Sequence, residues 1–126
     1  MKQTAINISE LHLADPRLDL AVKVASDKKA QDIVVLDLTG VATFTSYFII
    51  CNGHANRQVQ AIADEIGDQL TKMGVKTSHI EGYQAAEWVL MDYGDFIVHI
   101  FNEEARKFYE LERLWSDAQR VDIQDE

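Results

Sequence analysis

The sequence predicts an α/β domain, a mixed β-sheet of about five strands flanked by helices. Two runs with helical spacing, Leu18/Ala21/Val22/Ala25 and Val59/Ile62/Ala63/Ile66/Leu70/Met73, alternate with short β-branched runs such as DIVVLDL at 32–38. The stretch WVLMDYGDFIVHIF, 88–101, adds a strand, a two-residue turn and a second strand. The order α-β-β-α-β-β-β-α in 126 residues is that of one domain, residues 1–126.

Residues 1–14 hold one early lysine, no compact hydrophobic block and no small-residue cleavage pattern, so they are expected as a weakly ordered lead, not a secretory signal. Asp15-Pro16 is a helix start, with Asp as cap and Pro in the first turn, and the helix runs to about Lys29. The apolar runs 32–38 and 47–52 read as strands covered on both faces. The second helix ends at Gly74, with Lys72 in its last turn. Residues 75–82 suggest a weaker strand at an edge. After the hairpin, Asn102 caps a final helix whose apolar stripe is Phe108, Leu111, Leu114 and Trp115. Residues 119–126 are expected as an acidic, frayed tail.

Taking Tyr93-Gly94 as the loop of the hairpin pairs Asp92 with Asp95, Leu90 with Ile97 and Trp88 with His99. Alternation then sorts the side chains. Val89, Met91, Phe96, Val98 and Ile100 make a core face. Trp88, Leu90, Ile97 and His99 lie on the other, with Asp92 and Asp95 at its end. That mixture suits the centre and rim of an interface, and equally a face covered by the first or last helix. Facing carboxylates repel by roughly 0.2–1 kcal/mol unless compensated. They are either a solvated turn or a rim that meets cations on a partner.

Charge narrows the function classes. Twenty-one acidic residues against 12 basic give a net charge of −9, which opposes direct nucleic-acid binding and favours a basic protein partner. No apolar run approaches the roughly 20 residues that span a bilayer. One cysteine, Cys51, and no signal fit the reducing cytosol. Cys51 and His54 have zinc-like spacing, but no second pair follows, and Asp92 with Asp95 supply too few oxygens for a metal. No cofactor, metal or catalytic group is expected.

In order along the chain, DIVVLDLTG, SYFIICNG, RQVQAIADEI, EGYQAAEWVLMDYGDFIVHIF and RKFYELERLW resemble the ribosomal silencing factor family, also called Iojap-like. The resemblance covers residues 20–118 and its ordered combination of motifs is highly specific. It implies a fold similar to that of nucleotidyltransferases without the catalytic motif. It also implies a non-enzymatic protein that binds large-subunit ribosomal protein 14, blocks small-subunit joining and lowers translation when nutrients are scarce. By motif it assigns Trp88, Leu90, Asp92, Tyr93 and Asp95 to the partner contact, to which the face adds Ile97 and His99. The sequence departs from the family pattern at Ser46 and Ala55, so Asn52 or Asn56 is expected to cap the second helix. A half-apolar face left open also invites a homodimer off the ribosome. The alternative is a small magnesium-dependent nucleotidyltransferase, which needs a Gly-Ser turn followed by Asp-x-Asp on a strand. Neither motif is present.

Overall fold

Asp15 starts the first helix as its type and position predict: its carboxylate accepts the N–H of Arg17 at 2.9 Å, and Pro16 occupies the first turn. Asn102 does the same for the N–H of Ala105 at 2.8 Å. In the computed structural model, which describes residues 3–124, these caps open α1 (Pro16–Asp27) and α3 (Glu103–Tyr109). The other helices are α2 (Asn56–Lys72) and the short α4 (Leu111–Leu114). Neither Asn52 nor Asn56 caps α2. Ala55 holds the cap position without a side-chain bond, and Gln58 reaches back to the His54 N–H at 2.7 Å instead.

The strands are β1 (Gln3–Asn7), β2 (Gln31–Asp37), β3 (Tyr47–Gly53), β4 (His79–Glu81), β5 (Trp88–Asp92), β6 (Phe96–Asn102) and β7 (Gln119–Gln124). Among the described residues the sheet therefore has seven strands rather than five, in the order β1-β7-β2-β3-β6-β5-β4. The two additions lie in the segments expected as lead and tail. β7 runs antiparallel to β2, and β1 joins it in parallel. The short strand β4 sits at the opposite edge with all three residues exposed.

α1 and α2 cover one face. Leu18, Ala21, Val22 and Ala25 of α1 and Val59, Ile62, Ile66 and Leu70 of α2 pack on Val35, Ile49, Val89, Met91, Phe96, Val98 and Ile100. Each such Val, Leu, Ile, Phe or Met side chain fully withdrawn from water contributes roughly 1.5–3 kcal/mol. The other face carries Val34, Leu36, Phe48, Ile50, Ile97 and Phe101 under Ala105 and Leu111 of the shorter α3 and α4.

The expected single final helix is broken. Glu110 adopts φ +47 between α3 and α4, and this left-handed residue ends the helical phase. The anticipated stripe consequently splits: Leu111 is buried, whereas Phe108 and Leu114 stand 80% and 75% exposed. Arg106 fastens α3 to the sheet, donating to the carbonyl of Asp32 at 2.6 Å and to Asn52 Oδ1 at 2.8 Å, and pairing with Glu112 at 3.2 Å.

Candidate functional site

The hairpin register differs from the one expected. Trp88 pairs with Phe101, Leu90 with His99 and Asp92 with Ile97, while the Tyr93 N–H bonds the Phe96 carbonyl at 2.9 Å. The loop is Gly94-Asp95, with glycine at φ +86 in the first central position, as a type II′ turn requires. The two strands are offset by two residues from the expected pairing. An even offset preserves which face each side chain takes. Tyr93 and Asp95 exchange roles: Asp95 enters the loop, while Tyr93 leaves it and stacks on Phe96 on the core face, with ring centroids 4.9 Å apart. Burial raises its hydroxyl pKa.

Asp92 and Asp95 therefore do not face one another. Asp92 accepts the Gly94 N–H at 2.8 Å and so closes the turn. Asp95 pairs with Arg17 at 3.2 Å, and Arg17 also holds Asp15 at 2.8 Å and lies over the Phe96 ring. The bond from Arg17 holds the Asp15 carboxyl below its ordinary range. Thr45 Oγ1 and the Ser46 N–H bond the carbonyls of Gly94 and Asp95, both at 2.9 Å, tying the turn to the loop after β2. The expected face-to-face pairing is absent, and each carboxylate has a partner of its own, the Gly94 N–H for Asp92 and Arg17 for Asp95.

On the second sheet face the registers set Ile50, His99, Leu90 and Glu81 in one row, and Phe48, Ile97, Asp92 and His79 in the next. α3 and Trp115 cover only part of this surface. Of the sequence-selected residues, Ile97, His99 and Tyr93 are buried, Asp95 is exposed, and Trp88, Leu90 and Asp92 are half-buried. Trp88 stacks on Phe101, with ring centroids 5.0 Å apart, and meets Tyr109 at a tilt with centroids 4.8 Å apart. Its indole N–H donates to His99 Nδ1 at 3.0 Å. Burial pushes the His99 pKa down to about 3, so the ring is neutral. Beside Trp88, Tyr109 is exposed, with exposed Phe108 against it, and His79 Nε2 and a Glu81 carboxylate oxygen on β4 lie 3.0 Å apart.

The position of Trp88 is also set from its backbone. Gly82 has φ +79, and a Cβ there would lie 2.1 Å from the Trp88 carbonyl oxygen. Tyr109, Phe108 and Gly82 are site components that the hairpin pattern alone did not select. Their signal was the final-helix motif for the first two and the glycine before the hairpin for the third.

Other features offer less. Cys51 is fully buried, its thiol pushed up to about 12, while His54 pairs with Glu103 at 2.6 Å. No group of three or more His, Cys, Asp or Glu that could hold a metal ion occurs among the described residues. An open cleft of about 1070 Å³ lies between β2, α3 and β7, but its Arg106, Arg120, Glu112 and Asp122 side chains pair with one another. No described helix is long and apolar enough to cross a membrane.

The family model for ribosomal silencing factor during starvation matches residues 12–126. The chain belongs to the ribosomal silencing factor family. A ribosomal silencing factor of Bacillus subtilis is 44% identical over 106 residues, covering 84% of this chain and 90% of the relative. A crystal structure from Bacillus halodurans aligns with a TM-score of 0.74 and 41% identity over 82% of this chain and 94% of that one. A second, from Chromobacterium violaceum, gives a TM-score of 0.79 and 33% identity over 83% and 88%. The mixed sheet is thus the family fold, and the family's name describes a regulatory factor rather than a catalyst.

Proposed function

We propose that this ribosomal silencing factor docks on large-subunit ribosomal protein 14 through the β5 side of the second sheet face. Bound there, it blocks joining of the small subunit and represses translation when nutrients are limiting. The observation that carries this reading is the partly open aromatic centre, Trp88 and Leu90 beside exposed Tyr109, with Asp92 and Glu81 at its rim. Aromatic groups anchor protein interfaces, and an acidic rim suits a basic partner. The net charge of −9 repels ribosomal RNA elsewhere, which confines the protein to an exposed basic protein surface. Silencing then needs only bound bulk, without catalysis. The place of action is the cytoplasm, where ribosomes work. Away from the ribosome, exposed Phe108 and Leu114 favour a homodimer.

The test is subunit joining with purified subunits, followed by light scattering. The wild type is expected to inhibit joining. Trp88→Ala, which removes the anchor, should weaken large-subunit binding by about thirtyfold, on the order of 2 kcal/mol, and inhibit correspondingly less. Inhibition at wild-type concentrations by a folded Trp88→Ala protein would remove this face from the mechanism.

A further inference from the structure

We propose that His99 is a positioning residue of the docking face, fixing the Trp88 indole in the orientation that the partner meets. The inference rests on the docking reading above and adds what makes that face rigid.

An indole nitrogen can only donate, so the 3.0 Å contact requires His99 Nδ1 to be an unprotonated acceptor. The ring hydrogen then sits on Nε2. That atom is buried and has no hydrogen-bond partner among the described residues. His99 itself is 2% exposed, with the Phe48 ring edge-on at 4.4 Å and Ile50 opposite it on β3. A buried donor left without a partner costs stability, and an apolar side chain of the same shape would avoid that cost. Stability alone therefore gives no reason for an imidazole at this place. Among the described residues its one hydrogen bond from the ring is with Trp88.

The surroundings agree. Phe101 stacks on the indole ring, Tyr109 meets it at a tilt, Gly82 admits the Trp88 carbonyl, and the His99 bond fixes the remaining direction, the ring's nitrogen edge. A half-exposed tryptophan without that bond has more than one rotamer available, and ordering it on docking weakens association by about five- to tenfold.

The experiment measures binding to purified large ribosomal subunits for the wild type and for His99→Phe, His99→Asn and Trp88→Ala. It also follows the Trp88 indole N–H resonance by NMR, assigned with Trp115→Phe. His99→Phe keeps the ring shape and removes the acceptor; His99→Asn returns an acceptor near Nδ1. The expected result is a fold as stable as the wild type, a five- to tenfold loss in His99→Phe and a displaced indole resonance. His99→Asn should recover most of both. Native-strength binding by His99→Phe alongside a loss in Trp88→Ala overturns the positioning role and leaves the docking reading standing. A loss in His99→Phe that a folded His99→Asn does not recover also overturns it, because the role is then only structural. Native-strength binding by Trp88→Ala overturns both. Should His99→Phe fail to fold, Trp88→benzothienylalanine keeps the ring and drops the N–H. Its weaker binding would sustain the proposal, and native-strength binding would overturn it.

Discussion

His99 and the two turn aspartates show how much a single side chain's partner decides. Because burial lowers the His99 pKa from 6.5 to about 3, the unfolded chain binds a proton in that window that the folded chain does not. Stability from this group is complete above pH 6.5 and declines as pH falls toward 3, by up to about 1.4 kcal/mol per unit. Denaturant unfolding at pH 7 and pH 5 should differ by about 2 kcal/mol, and His99→Phe should flatten most of that difference. An unchanged slope in the variant would mean that His99 is not the titrating group. Asp92 has a different task, since its Oδ1 accepts the Gly94 N–H. Asp92→Asn keeps an acceptor and should be close to neutral, whereas Asp92→Ala should cost about 1 kcal/mol. Equal effects from the two substitutions would contradict the hydrogen bond. Asp95 is a weaker lever: its pair with Arg17 is largely solvent-exposed, so Asp95→Asn should change stability by less than about 1 kcal/mol.

Hairpin β5–β6 is the element on which the account turns, and Gly82 is where it is most constrained. Gly82→Ala places a methyl group against the Trp88 carbonyl and at a positive φ, so the strand or the preceding loop must move. The expected loss is on the order of 2–4 kcal/mol by thermal or denaturant unfolding. A near-neutral result would show that the loop yields without disturbing Trp88. The faces of this hairpin were legible in the sequence because side-chain alternation survives a two-residue error in register. The register itself was not, because Tyr93-Gly94 and Gly94-Asp95 are both acceptable two-residue turns on composition. Tyr93 N–H bonding to Phe96 decides between them. The start of α1, the stop of α2 and the cap of α3 were legible because Asp15, Gly74 and Asn102 act locally. β1 and β7 were not, since QTAIN and QRVDIQ are polar and become strands only through their neighbours. The break at Glu110 was also hidden, for nothing in its type requires a left-handed backbone. At the candidate site, the half-buried Trp88 and Leu90 follow from the face pattern. The burial of His99 and Ile97 depends on α3, α4 and Trp115 arriving from elsewhere in the chain.

For the molecule as a whole, the proposed docking assigns complementary tasks to the net charge of −9 and the partly open aromatic face, the first to oppose RNA and the second to anchor a protein. Association with isolated ribosomal protein 14 should therefore slow as salt rises, since exposed charges more than about 8–10 Å apart are screened at physiological ionic strength. Stopped-flow association at two salt concentrations measures this, and a rate that increases with salt would contradict steering by a basic partner. The most direct test of the central claim is a photo-crosslink from the face itself. With Leu90→benzoylphenylalanine, irradiation of the complex with purified large subunits followed by mass spectrometry identifies the neighbour. Docking through this face predicts a crosslink to ribosomal protein 14. A protein that still cosediments but crosslinks only to ribosomal RNA or to a different ribosomal protein would contradict it.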